Sequence, residues 1–358
     1  MNAMKYLKLS TLVITLAAAA PSFAQTVTWN GHAAINGTAI KDRNSEIPSY
    51  GFSNDVNFED DSVFALRANV DAGYGLTAAA EVMTRGADDF DVEMRWVYVG
   101  YNLSKNTFAS AGSLRLPLMN YSDYLDVGMA YLPTALPRAT YNLPDSYTGG
   151  SIAQNFRLNN YNLTIQALGG NLDGEVGYQD AELGIDSELM YGGTATLSSR
   201  SFMIRASYFD ITDATLTAMP SNGTSSLMTT FSQEQDVSIY SAGFRFDGKQ
   251  LLVEGEYVEL DQSAPVTPEM RSGYMTVGYT FGQVTPFISW ERRRDRKGYD
   301  VSTSESIRAM AQDSDTYSAG VRYNFHPNAA IKLNVSQINS PDSDLDSTLV
   351  SAGIAIKF

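Results

Sequence analysis

Charged side chains at regular strand positions are the residues of this sequence best placed to do chemistry. The basic ones are Arg67, Arg115, Arg157, Arg205, Arg245 and Arg322, and an acidic group of Asp123, Asp126 and Asp145 lies in one connection. Opposed charges across a narrow column of water orient dipolar solutes and disfavour apolar ones, because low-dielectric walls focus the field. This pattern predicts that the protein selects solutes by their charge and polarity. The alternative is that the arginines are solvated or paired with acidic residues, namely Asp71, Glu81, Glu254 and Glu256.

Bond-breaking chemistry has little support in the sequence. A hydrolase needs a base beside a nucleophile or an activated water, and the chain has two histidines, His32 and His326. Neither has a Ser or Asp motif nearby, and the sequence contains no Gly-rich phosphate loop or His-containing metal motif. We therefore expect no enzyme activity and no cofactor, with a hydrolase as the rival class.

Alternation of apolar and polar residues indicates the elements that position the charges. In the last stretch of the chain, Val350, Ile354 and Phe358 share one face, while Ser351 and Lys357 share the other. A repeat of two predicts a half-apolar β-strand, of about the length that crosses a bilayer when tilted. The same pattern predicts sixteen strands, at 26–37, 63–74, 76–85, 94–103, 106–115, 149–158, 160–169, 188–197, 200–209, 237–246, 249–258, 272–281, 284–293, 315–325, 329–338 and 347–358.

The connections between these segments are short and long in turn. The short ones are turn-like, and the long ones, such as 38–62, 116–148, 210–236 and 294–314, are rich in Asp, Ser, Asn, Gly and Pro. This rhythm is typical of an antiparallel meander with one end in a confined compartment and the other outside. In hydrocarbon every backbone polar group must be paired, so the sheet is expected to close into a barrel.

Strand-interior charges agree with a lipid-facing apolar surface. A basic residue at mid-depth on that surface costs roughly 2–4 kcal/mol. Six basic residues lie on the polar face instead, namely Arg67, Arg157, Arg205, Arg245, Arg322 and Lys332. Arg95 shares its face with Val97 and Val99, which indicates a place at the outer rim or a register slip of one residue. Tyrosine and phenylalanine on the apolar face lie near both strand ends and predict two girdles at the membrane boundaries.

The N-terminus has the features of a secretory signal peptide. Lys5 and Lys8 precede an apolar stretch that ends at Ser22-Phe23-Ala24, so we expect residues 1–24 to be removed and residues 25–358 to form one barrel domain. The chain has no cysteine and therefore no disulfides. Its net charge of −15 argues against nucleic-acid binding, which needs clustered Lys and Arg. No later apolar run reaches helical membrane-spanning length, which excludes a helical membrane protein.

The signal peptide, sixteen strands, alternating short and long connections and terminal Phe358 together resemble the trimeric general porins of Gram-negative outer membranes. The resemblance implies an all-β, 16-stranded antiparallel transmembrane barrel with short periplasmic turns and long outer loops. It also implies passive diffusion of small hydrophilic solutes and ions, outer-membrane lipid and lipopolysaccharide as surroundings, a homotrimer, and recognition of Phe358 by the barrel-assembly machinery. The segment 106–113, with Ala109, Ser110, Ala111, Gly112 and Ser113, is a candidate for the trimer contact.

In such porins the third long loop folds into the lumen and narrows it. By position, the resemblance assigns that role to residues 116–148 and makes Asp123, Asp126 and Asp145 the acidic side of a constriction. The loop lacks the Pro-Glu-Phe-Gly-Gly motif of enterobacterial members, which indicates a more distant branch.

Tyrosines on the same loop allow a substrate-selective alternative. They could form a stacking track for sugars, or they could pack against the barrel wall, which we favour; they are Tyr121, Tyr124, Tyr131, Tyr141 and Tyr147. An anion-selective channel is a further alternative. Acidic runs in the outer loops offer oxygen ligands to Ca²⁺ or Mg²⁺, but none matches an EF-hand, so we predict no metal site.

Overall fold

The structure of the protein is a computed structural model. It describes residues 26–41, 55–59, 61–178, 181–220, 234–263, 269–296, 313–340 and 346–358. The predicted signal peptide, 1–24, lies outside the described residues.

Sixteen antiparallel strands form a closed barrel in which each strand pairs with its neighbours in sequence and β1 pairs with β16. The predicted strand number and fold class are confirmed. The strands are β1 Thr26–Ile40, β2 Val63–Gly73, β3 Leu76–Arg85, β4 Val92–Asn102, β5 Thr107–Arg115, β6 Ser146–Leu158, β7 Tyr161–Tyr178, β8 Ala181–Ser198, β9 Phe202–Pro220, β10 Glu234–Asp247, β11 Leu251–Gln262, β12 Glu269–Tyr279, β13 Val284–Arg296, β14 Ser314–His326, β15 Ala329–Asn339 and β16 Ser347–Lys357.

Alternation of side chains separates an outer apolar surface from the barrel interior. On β15, Ile331, Leu333 and Val335 are exposed, whereas Lys332 and Asn334 between them are buried. The exposed set faces outward, where hydrocarbon replaces water, and the buried set points into the barrel. Closure leaves no unpaired edge, which is the condition for a sheet in a bilayer.

The seam between β1 and β16 is completed by the terminal residue. The backbone N–H of Phe358 donates to the Gly31 carbonyl at 2.9 Å, and the Gly31 N–H donates to the Phe358 carbonyl at 2.8 Å. The Phe358 ring lies beside Phe64, with ring centroids 6.3 Å apart. A Cβ on residue 31 would lie 2.6 Å from this ring, so glycine is required there.

The short turns lie at one end of the barrel and the long connections at the other, except that at the latter end only two residues separate β7 from β8. Left-handed residues make two of the turns, with φ of 84° at Gly75 and 55° at Asn159. Strands β7, β8 and β9 extend well beyond the predicted 160–169, 188–197 and 200–209. These extensions lie toward the end of the barrel with the long connections. The apolar–polar alternation of β7, β8 and β9 stops before the strands end, because the side chains there do not have to alternate between lipid and the barrel interior.

In the part of the chain that the structure describes, regular helix is confined to short segments of the connections. One α-helical turn, α1, spans Arg138–Tyr141, and single 3₁₀ turns occur at Gly86–Asp88, Ser122–Tyr124 and Gly128–Ala130. Among the described residues, no helix has the length and apolar character needed to cross a membrane.

Candidate functional site

The connection between β5 and β6 lies inside the barrel. Leu116, Tyr121 and Ala139 are fully buried, and the connection contacts strands on the far side of the lumen. The hydroxyl of Ser207 on β9 donates to the carbonyl of Leu118 at 2.9 Å. We call residues 116–145 the lumen loop. The prediction that the third long loop folds into the lumen is confirmed.

Apolar packing holds the first part of the lumen loop against one sector of the barrel wall. Leu116, Leu118 and Met119 pack on inward-facing residues of β7 to β12. We call this set the apolar cluster; it comprises Leu114, Leu116, Leu118, Met119, Tyr147, Leu168, Leu172, Ile185, Met190, Phe209, Ile211, Ala214, Val237, Ile239, Val258 and Met270. The lumen in this sector is therefore filled by apolar side chains, and polar residues of the same wall, such as Ser207 and Glu256, bind the loop.

Buried carboxylates on the wall accept hydrogen bonds from the lumen loop. Glu256 accepts the backbone N–H of Asn120 at 2.5 Å, and Glu291 accepts the backbone N–H of Thr140 at 2.8 Å. The phenol of Tyr121 donates to Glu254 at 2.5 Å. These bonds satisfy backbone groups that the loop's irregular course would otherwise leave unpaired.

The tyrosines of the lumen loop form a packed group rather than an open track. Tyr121 lies edge-on to Tyr124 and Tyr131, at centroid distances of 5.5 and 5.8 Å. Tyr121 and Tyr131 are buried, as is Tyr147 of β6. Burial raises the pKa of Tyr121 well above its ordinary value, and the neighbouring Glu254 carboxylate adds to the rise. The geometry favours packing over sugar stacking for these three rings.

Cations on β9, β14 and β15 bind the carbonyl oxygens of the lumen loop. Arg205 donates to Met119 at 2.5 Å, and Arg322 donates to Met129 at 2.8 Å. Lys332, which is 1% exposed, donates to Gly128 and also to Tyr131 at 2.8 Å and Pro133 at 2.7 Å. Among the described residues, neither Arg322 nor Lys332 has a carboxylate partner.

A buried ionic group ties the two ends of the lumen loop to its middle. Arg115, at the end of β5, contacts Asp126 and donates to Asp145 at 2.5 Å. Arg85 donates to Asp126 at 2.8 Å, and Arg95 donates to Asp145 at 2.6 Å. We call these five residues the ionic clasp.

The clasp keeps both aspartates ionised. Burial alone would raise their pKa values, but the guanidiniums of Arg85 and Arg115 hold the pKa of Asp126 well below its ordinary range. For Asp145 the lowering comes from Arg115, Arg95 and Arg85. The two carboxylates therefore lie in direct contact with arginines rather than across water from them, unlike the opposed arrangement expected from the sequence.

A β-bulge explains the exceptional position of Arg95. Glu81 pairs with Trp96, but the next residue of β3, Val82, pairs with Met94. Arg95 is thus an extra residue on β4, and its side chain reaches Asp145 although its sequence parity matches Val97 and Val99. The structure therefore contains the register slip of one residue considered above. The bulge turns the Arg95 side chain toward Asp145.

The remaining predicted site residues are spread along the lumen wall. Arg67 stacks over Trp96 at 4.5 Å and donates to Tyr98 at 3.1 Å. Asp123 is the exposed acidic residue of the loop and contacts Arg205 at 3.3 Å, with 50% of its side chain exposed.

Two further predicted arginines lie at other points of the wall, and Arg245 also contacts Tyr121 of the lumen loop. Arg245 donates to Glu254 at 3.0 Å and to Asp247 at 3.1 Å. Arg157 is exposed near the short-turn end of β6. Of the predicted acidic set, Asp126 and Asp145 are brought together with Arg115, and Asp123 is not.

Sequence reasoning missed the loop-holding role of several residues. Lys332, Glu254 and Glu256 showed inward parity, but only the folded loop reveals what they bind. Strand alternation did not indicate that Arg85 and Arg95 bind the loop. Arg85 is the last residue of β3, and Arg95 lies in the β-bulge of β4. Within the described residues, no group of three or more His, Cys, Asp or Glu could hold a metal ion.

A recess lies between the lumen loop and the outer half of β13 to β16. Hydroxyl and amide groups of Ser318, Asn334, Ser336 and Ser351 line its wall, and Pro133–Arg138 line its loop side. The lumen is therefore unevenly filled, packed beside the apolar cluster and open on the side of the hydroxyl groups.

Solved structures similar to this fold are barrels from outer membranes. OmpF of Salmonella typhi, solved with daunomycin, is 12% identical with a TM-score of 0.62, covering 94% of this chain and 99% of its own. An anion-selective porin from Comamonas acidovorans is 12% identical with a TM-score of 0.61, covering 93% and 99%. OmpT of Vibrio cholerae, in a trimer form, is 11% identical with a TM-score of 0.55, covering 93% and 99%. At 11–12% identity, these similarities show a shared fold alone.

A family assignment comes from the sequence itself. A comparison with curated protein sequences found no relative. The sequence model of the Gram-negative porins matches residues 10–355, which is nearly the whole chain. Together with the closed sixteen-stranded barrel and its lumen loop, this match shows that the chain belongs to the Gram-negative porin family and is an outer-membrane porin.

Proposed function

We propose that the protein lets small hydrophilic solutes and ions diffuse passively past the lumen loop. The observation that carries this proposal is a closed sixteen-stranded barrel whose third long connection lies inside it. A barrel of this size has room for an aqueous channel. The loop is fixed by apolar, ionic and hydrogen-bonded contacts, so it narrows the channel permanently rather than acting as a lid.

Selection by charge would occur at the exposed tip of the loop. Asp123 faces water beside Arg205, while Asp126 and Asp145 position the loop through the ionic clasp. The basic wall would be formed by Arg67, Arg157, Arg205, Arg245 and Arg322, with Arg115 as a clasp residue. In thin water between low-dielectric walls these charges act strongly on passing ions.

An anion preference is the second candidate. Arg322 and Lys332 bind loop carbonyls and have no carboxylate partner among the described residues, so they add positive potential beside the loop. The Comamonas acidovorans structure is described as an anion-selective porin, which agrees with this candidate but concerns a chain of 12% identity. The packing of the loop tyrosines gives no such support to a channel with a sugar-stacking track.

The proposal includes the absence of an enzyme activity. His32 is buried and its Nε2 has no hydrogen-bond partner, and His326 accepts the backbone N–H of Asn328 within a turn. Neither histidine pairs with a nucleophile in the described part of the chain. Hydrolysis of a lipid or peptide by the purified protein, lost in His32→Ala, would overturn this part of the proposal.

The proposal also covers export and assembly. Residues 1–24 would direct export as a signal peptide and be removed, leaving 25–358 as the barrel. Phe358 would present the assembly signal to the barrel-assembly machinery. The mature barrel would sit among lipopolysaccharide and form a homotrimer through the small outward residues Ala109 and Ala111 of β5.

Planar-bilayer recording under a salt gradient tests the channel proposal. We expect steady current in steps of three, and a reversal potential that gives the ion preference. Asp123→Asn should raise the anion-to-cation permeability ratio about fourfold, because a unit charge ~10 Å away in water contributes ~0.4 kcal/mol, with opposite sign for the anion and the cation. Asp89→Asn, in an outer connection away from the lumen, is the matched control and should change nothing. A barrel without steady current would overturn the proposal.

A further inference from the structure

The recess between the lumen loop and strands β13 to β16 has a wall of hydroxyl and amide groups. Asn334 and Ser336 on β15 and Ser351 on β16 line it and are 9%, 8% and 6% exposed. Asn334 and Ser336 lie two and four residues beyond Lys332 toward the outer end, which is about 7 and 13 Å at the usual strand rise. A solute that enters from outside therefore meets this recess before it reaches the part of the loop that Lys332 holds.

One acceptor on this wall has no partner in the described part of the chain. The Nδ2 group of Asn334 donates to the Ser336 hydroxyl at 2.8 Å, but the Oδ1 atom of the same side chain is buried and accepts no hydrogen bond. A buried polar atom without a partner costs free energy comparable to that of a lost hydrogen bond. The Oδ1 atom therefore requires a donor that the described residues do not supply.

A hydrogen-bond donor is left over beside this acceptor. The hydroxyls of Ser318 and Ser336 lie 2.8 Å apart, and either can donate to the other. Each hydroxyl has one proton to donate and two acceptor positions, so one O–H of the pair remains unused among the described residues whichever way the bond points. The wall thus offers a donor and an acceptor on directly paired positions of β14 and β15.

The charged side chains at the recess are engaged within the protein. Among the described residues that line it, Arg138 and Glu291 are charged. Arg138 contacts Asp61, and Glu291 accepts the backbone N–H and the hydroxyl of Thr140, each at 2.8 Å. An anion would satisfy the donor of the wall alone and a cation the acceptor alone, whereas a hydroxyl group donates and accepts at once. The wall therefore fits a neutral hydroxylated solute better than a charged one.

The loop side of the recess is largely apolar. Pro133, Leu136 and Pro137 line it, and Leu136 and Pro137 are half-buried. Sugars and sugar alcohols carry C–H groups between their hydroxyls, and burial of these groups against apolar side chains is favourable. The two sides of the recess thus match the two kinds of surface that such a solute presents.

We propose that this recess binds a small neutral polyhydroxylated solute, such as a sugar or a sugar alcohol. Its hydroxyls contact Asn334, Ser318 and Ser336, and its C–H groups face the loop. The inference deepens the diffusion proposal and rests on it for the way in which the solute arrives. Binding is weak and saturable, because a neutral hydrogen bond contributes modestly in competition with water. The recess retains such a solute on its way through a general channel and does not use the buried tyrosines.

Saturation-transfer NMR with methyl glucoside tests the inference on the full protein in a detergent that contains no sugar. Ser318→Ala with Ser336→Ala should bind at least about fivefold more weakly, since the hydroxyls of the wall are lost. Thr280→Val with Thr285→Val is the matched control, because it removes a hydroxyl pair 3.0 Å apart at the short-turn end of β12 and β13. The control should bind like the unaltered protein. Equal affinity of the unaltered protein and the serine variant would overturn the inference.

Two further probes identify the chemistry of the recess. Fully O-methylated methyl glucoside has acceptors but no donors, and it should bind the unaltered protein about fivefold more weakly. Equal binding of the two glucosides would overturn the inference by assigning the recess to apolar contact. Tighter binding of glucuronate would overturn it by assigning the recess to anions. An absence of saturable methyl glucoside binding would also overturn it, by showing that the recess holds water only.

Electrophoresis and planar-bilayer current separate the possible failures. A serine variant that keeps heat-modified migration is a folded barrel, so its affinity can be interpreted. If it does not fold, Ser318→Ala alone should weaken binding about threefold, and no change in that variant would overturn the inference. A protein that binds methyl glucoside but carries no current would contradict the channel proposal alone. A protein that conducts but does not bind would contradict this inference alone.

Discussion

At the scale of single residues, the ionic clasp determines where the lumen loop can lie. Arg115 and Asp145 flank the loop, and both contact residues that the sequence separates from them. Removing one member of a buried ion pair leaves its partner charged and desolvated, which is worse than removing both. The clasp is therefore a positioning device, in which each charge depends on the others being present.

Asp126→Asn tests the clasp directly. It leaves Arg115, whose side chain is 4% exposed, with less compensation, and breaking such a buried pair costs roughly 3–5 kcal/mol. We expect a lower unfolding temperature in detergent and a larger, noisier open-channel current. Asp123→Asn, at the exposed tip, is the control and should leave stability unchanged. A stable and quiet Asp126→Asn channel would contradict the clasp.

The pH dependence of the loop follows from the same residues. Because Arg85 and Arg115 lower the pKa of Asp126 in the folded protein, its contribution to stability is complete above the ordinary aspartate pKa of about 3.9. That contribution is lost as the pH falls toward the folded value. The difference in current noise between Asp126→Asn and the unaltered protein should thus stay constant from pH 8 to about 5 and narrow below about pH 4. A difference that narrows near neutral pH would contradict the assignment.

The sequence predicted some of these residues and not others, for physical reasons. Asp126 and Asp145 could be located by their connection and by family resemblance, but their partners could not. Contacts across the lumen depend on the path of an irregular loop, which no periodicity records. Arg95 showed that parity fails at a bulge, where one extra residue reverses the side-chain direction.

At the scale of elements, the strands are predictable where lipid constrains them. Within the bilayer every second side chain must be apolar, and β15 obeys this at Ile331, Leu333 and Val335. Beyond the bilayer both faces meet water or the loop, so β7, β8 and β9 continue without that signature. The apolar cluster was not predicted either, because inward leucines and isoleucines on those strands imitate a lipid-facing pattern.

Lys332→Met tests how β15 holds the loop. The change keeps side-chain length but removes the donor to Gly128, Tyr131 and Pro133. Leaving buried carbonyls unpaired costs about 1–3 kcal/mol each. We expect faster protease cleavage within 128–133 and more current noise. Lys357→Met, an exposed lysine near the chain end, is the control, and equal cleavage in the two variants would contradict the role of Lys332.

At the scale of the whole molecule, stability depends on one seam. Each strand pairs with its sequence neighbour except at β1 and β16, where the two ends of the barrel sheet meet. Both backbone hydrogen bonds between Gly31 and Phe358 lie at this seam. Closure of the barrel therefore requires a contact between residues that are distant in sequence, a step that loop-closure entropy makes slow.

Gly31→Val tests the seam. Its side chain would meet the Phe358 ring and the Ala65 carbonyl at 2.6 and 2.7 Å, so one of them must move. We expect a lower yield of the heat-resistant folded form on electrophoresis, because the folded-to-unfolded ratio falls about tenfold if the clash costs ~1.4 kcal/mol. Gly150→Ala is the matched control, since its Cβ would lie 3.5 Å from the nearest atom. Equal yields would contradict the seam assignment.

The apolar cluster has a consequence for performance in concentrated electrolyte. Mobile ions shorten the Debye length to about 3 Å at 1 M and so weaken attraction between partly exposed charges. Contacts such as Leu116 and Met119 against Phe209 and Ile239 involve no charge, and salting-out ions tend to reinforce them. The constriction therefore keeps its width in concentrated salt. The current should rise because the ion concentration rises and not because the channel widens.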